Sequence, residues 1–160
     1  MAWNPVTIRA GAVVLDANAA VGIAAKEVAK EARTLAAIAQ YTASGYLFFA
    51  PGAIVSEALY ALCQQEQNNL LTRAEHGQAI HDLQTLLARV LPPPNGEASL
   101  ILRADQIRAG YGCSRSADAL YIALAEELSR TYTTRLLTFD QGVPKQAARH
   151  APLVSVHLLT

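Results

Sequence analysis

Four acidic residues occupy one kind of position in this sequence. Asp16 and Asp140 each close a short apolar run, and Glu57 and Asp118 stand in the opening turns of apolar helical segments. In a parallel α/β fold, the carboxyl ends of strands and the starts of the helices that follow lie along one edge of the sheet, so the four can converge. Two carboxylates roughly 5 Å apart repel by about 3 kcal/mol at an effective dielectric of 20, so such a group either holds its protons more tightly or recruits a divalent cation. Ligands that are all oxygen favour Mg²⁺ or Mn²⁺ over zinc. A hard cation of that kind, keeping some of its waters, activates water and neutralises charge on a phosphodiester. The chemistry expected is therefore metal-assisted hydrolysis of a nucleic-acid backbone. Asp16 would be the central ligand and Asp118 the second, with Glu57 and Asp140 binding the ion or orienting the water. Asn18, Ser116 and Thr138 would hold these acids by hydrogen bonds. Taken singly, Asp16 could instead cap a helix, and Asp118 could complement a helix dipole.

The elements that must position these residues follow from the pattern of apolar side chains. Ala12-Val13-Val14-Leu15 is a β-favouring run that ends in Asp16, and a helical pattern begins at once. From Asn18 to Ser44 the spacing Val21, Ala25, Val28, Ala32, Leu35, Ala39 predicts one helix with a single apolar face, ended by Gly45. Tyr46 to Phe49 reads as a buried second strand, and Gly52 to Gln67 as a helix whose apolar start holds one ionisable residue, Glu57. A lone buried carboxylate costs several kcal/mol unless paired, protonated or metal-bound, so that position requires a reason. Thr72-Arg73-Ala74-Glu75 matches a capping box for a helix that turns Ile80, Leu83 and Leu87 inward. Ala88 to Leu91 reads as a short third strand stopped by Pro92-Pro93-Pro94, and Ala98 to Ala109 as an amphipathic helix. Ser114 or Ser116 can cap a helix that carries Asp118 in its first turn and is then apolar on every face. Arg135 to Phe139 repeats the opening design before Asp140, and Leu153 to Val156 is the final strand. Strands alternate with helices throughout, which predicts a parallel sheet with helices on both sides.

Bulk properties narrow the function further. A chain of 160 residues, 52% apolar, makes one domain (1–160, with 1–11 as an extension before the first strand). No apolar run is long enough to span a membrane and no signal pattern opens the chain, which points to the cytoplasm. Thirteen basic residues balance thirteen acidic ones, excluding a field that would gather nucleic acid non-specifically; Arg103, Arg108, Arg115, Lys145 and Arg149 remain as local candidates along one edge, with Arg108 and Arg115 the RNA-binding candidates. Cys63 and Cys113 lack metal or redox spacing and read as structural thiols, and His76 and His81 lie off a common helical face. The high apolar content suggests that another chain covers part of the surface.

The pieces Val14-Leu15-Asp16-Ala17-Asn18, Val55-Ser56-Glu57-Ala58-Leu59, Ser116-Ala117-Asp118-Ala119-Leu120-Tyr121-Ile122-Ala123-Leu124-Ala125 and Leu137-Thr138-Phe139-Asp140 together resemble a PIN domain, and more narrowly the ribonuclease toxins of the VapC type. The resemblance spans Ala12 to Val156. It implies a three-layer α/β/α fold with a five-stranded parallel sheet ordered 3-2-1-4-5, a Mg²⁺ or Mn²⁺ site built from the four acids, and cleavage of single-stranded RNA. It also implies a homodimer and a small antitoxin partner. Asn18 stands where that family most often has Ser or Thr; the amide can still hydrogen-bond. A non-toxin PIN nuclease and a non-catalytic PIN domain that binds RNA or protein share these features. A phosphoryl-transfer domain of the haloacid dehalogenase type would want a second Asp where Asn18 stands, and one of the receiver type would want acids on an earlier strand.

Overall fold

The structure is a computed structural model that describes residues 10–110 and 116–160, and of residues 116 and 117 the backbone alone. β1 (Gly11–Leu15) is buried along its whole length and sits inside the sheet. It pairs in parallel with β2 (Leu47–Phe49) on one side and β3 (Thr133–Thr138) on the other, and β3 pairs in parallel with β4 (Val156–Leu158). Among the described residues the sheet therefore has four strands in the order β2-β1-β3-β4. A central parallel strand covered on both faces must be continuously apolar, as Ala12-Val13-Val14-Leu15 is. Gly11 opens it because the Tyr46 ring lies where a side chain would go. Gly11 thus belongs to the strand, and the expected extension shortens to residues before it, of which 1–9 lie outside the described residues.

α1 (Ala17–Ala24) packs against α2 (Glu31–Ala43), α3 (Ala53–Gln67) and α4 (Arg73–Leu87). α6 (Ser116–Ser129) lies along β1 and β3 and packs against α5 (Ile101–Ala109), which a 3₁₀ turn at Glu97–Leu100 precedes. α7 (Gly142–His150) leads into β4. The core runs from β1 through α6, where Tyr121 to Glu126 are all buried, as the apolar sequence there requires.

Four expectations are corrected. The single helix over 18–44 is two helices. The chain turns at Lys26, whose φ of +53° is left-handed, and Val28 ends up 97% exposed instead of on the apolar face. The third strand at Ala88–Leu91 does not form, so the five-stranded order 3-2-1-4-5 becomes four strands. Arg89 and Val90 still bond back to Leu86 and Leu87 as in a helical turn, and Pro92 has no N–H to continue a ladder. Only Leu91 reaches the sheet, as one bridge to Phe49, donating to Phe48 O at 2.8 Å and accepting from Ala50 N at 3.1 Å. The last strand begins three residues late, because pairing starts where Val156 meets Leu136. The thiol of Cys63 is exposed, on an outer α3 face that also shows Val55, Leu59 and Tyr60 to solvent, so it does not serve the core; Cys113 lies outside the described residues. The capping box at Thr72 and Glu75 forms in full.

Candidate functional site

Asp16 follows the last residue of β1, and its backbone N–H still bonds to Leu137 O at 3.1 Å, so the carboxylate is held at the edge of the central strand pair. It is only 5% exposed. One oxygen, Oδ1, accepts from Ala17 N at 2.7 Å and so caps α1; the helix-capping reading of this residue is correct as far as it goes. The other, Oδ2, accepts from the Thr138 hydroxyl at 2.6 Å and more distantly, at 3.4 Å, from Asn18 Nδ2. Thr138 is the hub of this edge. Its hydroxyl also accepts from Asn18 Nδ2 at 3.2 Å and from Asp140 N at 3.0 Å, while Asn18 Oδ1 accepts from Phe139 N at 3.1 Å. Parallel pairing of β1 with β3 brings Leu15 level with Leu137, which leaves Asp16 and Thr138 side by side beyond them.

Burial raises the Asp16 pKa above its ordinary value; the bonds from Thr138 and Ala17 oppose that rise, and the charge of Asp140 adds to it. Asp140 itself accepts from Gly142 N at 2.7 Å and so fastens the start of α7. Glu57, half-buried on α3, also has a raised pKa, from burial first and then, against the lowering effect of its bond from Tyr121, from the charge of Asp16. The Tyr121 hydroxyl donates to Glu57 Oε1 at 3.0 Å. That hydroxyl is pushed far above its ordinary range by burial and by the charges of Glu57, Asp16 and Asp118, so it stays a proton donor. Three of the acids thus act on one phenol, and the fourth acts on Asp16. Asp118 stands half-buried in the first turn of α6, three residues and so nearly one turn before Tyr121.

Sequence reasoning placed Tyr121 in the apolar run of α6 and missed its hydroxyl. The signal was available, since a residue three after an acid shares its helical face. Arg108 is half-buried in the last turn of α5, and Lys145 and Arg149 are exposed on α7. Arg103 is engaged within the fold: its guanidinium holds Glu126 through Nε at 2.7 Å and Nη2 at 2.9 Å, and also donates to His150 O at 2.7 Å. The expectations for the Ser116 side chain and for Arg115 lie outside the described residues. His76 lies 3.3 Å from Glu66.

Among the described residues no three His, Cys, Asp or Glu side chains close around a single point. The donor set nevertheless fits a hydrated Mg²⁺ or Mn²⁺, which takes one or two carboxylates directly and keeps several waters. The fit rests on an all-oxygen set at one sheet edge, in which burial first, and then the charge of a neighbouring acid, raises the pKa values of Asp16 and Glu57. Beside these acids a cleft of about 300 Å³ opens between α1 and α3, bounded by Asn18 and Glu57 and, further out, by Glu27, Lys30 and Gln65.

The PIN domain family model matches residues 13–149. In the search of solved structures, a chain of VapBC2 from Rickettsia felis, crystallised with a DNA fragment from their promoter, is 13% identical with a TM-score of 0.63, over 93% of this chain and 99% of that one. A chain of FitAB bound to IR36 DNA is 18% identical with a TM-score of 0.56, over 91% and 94%. A chain of FitAcB from Neisseria gonorrhoeae is 19% identical with a TM-score of 0.55, over 90% and 95%. At these identities the likeness is one of fold. The search of curated proteins finds no match.

Proposed function

This chain belongs to the PIN domain family, and on that premise we propose that it is an endoribonuclease that hydrolyses phosphodiester bonds of single-stranded RNA with Mg²⁺ or Mn²⁺. The observation that carries the reading is Asp16, a buried carboxylate held by neutral donors within the field of two further acids. Such an acid disfavours the folded state at neutral pH unless a cation comes to it, so its retention at a strand end points to chemistry. Asp16 and Asp118 would hold the metal, with Glu57 and Asp140 as further ligands or as groups that orient the attacking water. What a divalent ion supplies when bound is neutralisation of the charge building on the phosphodiester and a more acidic water.

The chain's own residues do the rest. Thr138, Ala17 and Asn18 fix the Asp16 carboxylate in one orientation before substrate arrives. Glu57, with its pKa raised toward the working range, is suited to take a proton from the attacking water. Tyr121 holds that carboxylate by its hydroxyl while remaining neutral. With thirteen basic and thirteen acidic residues there is no general field for RNA, so contacts to the strand are local, with Arg108 and Arg115 the candidates.

We extend the proposal to the toxin of a type II toxin–antitoxin pair in the cytoplasm, with a small antitoxin as partner. The support is that the structural neighbours are chains of VapBC2 and FitAB, and that no described helix is long and apolar enough to cross a membrane. A homodimer is proposed from apolar side chains that face solvent: Val55, Leu59 and Tyr60 on α3, and Ile101 and Leu102 on α5.

Purified protein should cut labelled single-stranded RNA with Mg²⁺ or Mn²⁺ and stop with EDTA, and Asp118→Ala should slow cutting by about a hundredfold or more. Equal rates for this variant and wild type would remove the site assignment. Expression should arrest growth, and Asp16→Asn should relieve the arrest; equal toxicity of the two forms would remove the toxin reading and leave the nuclease reading standing.

A further inference from the structure

The cleft between α1 and α3 has two ends of different character. At one end are Asn18 and Glu57, both part of the acidic centre; at the other, Glu27, Lys30 and Gln65 form a polar cluster. Between them Ala17, Val21 and Ala61 make a low, apolar floor. On α3, Glu57, Ala61 and Gln65 fall four residues apart, which puts the acid, the floor and the polar end on one helical face.

The polar cluster has hydrogen-bonding capacity to spare. Glu27 Oε1 accepts from Gln65 Nε2 at 2.8 Å. Oε2 lies 3.2 Å from the Lys30 ammonium, is itself buried, and makes no hydrogen bond. A carboxylate has about four acceptor positions, so at least two are unused here. The ammonium also lies 5.4 Å from the centre of the Phe139 ring, just before Asp140, so this end of the cleft curls back toward the acids. The Glu27–Lys30 pair is partly exposed, at 27% and 37%, and such pairs contribute little to folding, so it can turn toward a ligand at small cost.

We propose that this cleft is a nucleobase subsite for the residue adjoining the scissile phosphate, read by Glu27 and Lys30 and selective for guanine. The inference rests on the ribonuclease reading above. An apolar floor of this size accepts the face of a base while its edge meets the polar end, the usual arrangement for reading unstacked RNA bases. The Watson–Crick edge of guanine carries two adjacent N–H donors beside a carbonyl oxygen. The donors complement a carboxylate and the oxygen complements an ammonium. Adenine, cytosine and uracil cannot offer two neighbouring donors to Glu27 together with an acceptor to Lys30.

The test is to cut a pool of random single-stranded RNA with wild type, Glu27→Gln and Lys30→Met, and to sequence the ends. Wild type should place guanine at one fixed position next to the cut. Both variants should still cut the pool, with the preference for guanine there reduced about tenfold or more. Glu27→Gln keeps the contact with Gln65, and thermal melting of each variant verifies that it is folded. An unchanged preference in both folded variants, or no base preference beside the cut in wild type, overturns the subsite while the ribonuclease reading stands. Failure of wild type to cut RNA with either metal overturns the ribonuclease reading and the subsite with it.

Discussion

Asp16 and Glu126 are equally hidden, 5% and 6% exposed, yet their surroundings differ in kind. Glu126 on α6 faces a guanidinium that grips both its oxygens, and the same guanidinium ties α5 and α6 to the carbonyl of His150 at the end of α7. Asp16 is held by an amide, a hydroxyl and a carboxamide, and among the described residues the charges coupled to it are those of other acids, Asp140 and Glu57. Full charge pairing makes the first carboxylate a structural tie. Neutral donors orient the second without cancelling its charge, which suits the metal-binding role proposed for it. The comparison teaches that burial alone does not single out an acid for chemistry; what sets Asp16 apart is burial with no counter-charge among the described residues.

The comparison is sharpened most by Asp16→Asn. It should cut RNA about a thousandfold more slowly, about 4 kcal/mol of barrier, while melting at a higher temperature than wild type at pH 7 without metal. A fall in both activity and melting temperature would place Asp16 with Glu126 as a structural acid. Next in size is Arg103→Met, which leaves Glu126 facing no guanidinium. The loss of stability in urea should be roughly 2–3 kcal/mol, at or below the low end for buried pairs because Arg103 is about a third exposed, with cleavage per folded molecule unchanged. Thr138→Val should cost about 1–2 kcal/mol and slow cleavage about tenfold, since it removes the donor that aims Asp16.

The smallest effect is in the pH dependence. Asp16 has a folded pKa above its ordinary 3.8, so the folded state binds its proton more tightly than the unfolded chain does. The stability this confers is complete below 3.8 and is lost as pH rises through the higher folded value. The melting-temperature advantage of Asp16→Asn over wild type should therefore be least in acid and widen toward neutrality. A gap that does not change with pH would mean that Asp16 gains no proton affinity on folding.

Much of this edge could be read from residue order. An apolar run ending in an acid fixes a strand and its terminus together, and it does so twice, at Asp16 and Asp140. Glu57 stood out as one charge in an apolar helix start. Tyr121 did not stand out, because an aromatic in an apolar run is counted as core and only tertiary contact reveals that its hydroxyl meets Glu57. The break at Lys26 was hidden because Ala-rich sequence favours a helix on either side, and a left-handed lysine leaves no mark in composition. The third strand was misread because Ala88 to Leu91 is apolar enough for a strand, while the preceding helical turn holds Arg89 and Val90 and proline ends the segment.

The β1–β3 pairing has a kinetic corollary. The Asp16 amide bonds to Leu137 across the two innermost strands, so this end of the sheet is held by the central strand pair. Its proton should exchange with deuterium only when the entire domain opens, so the residue proposed to meet the substrate belongs to the slowest-exchanging part of the chain.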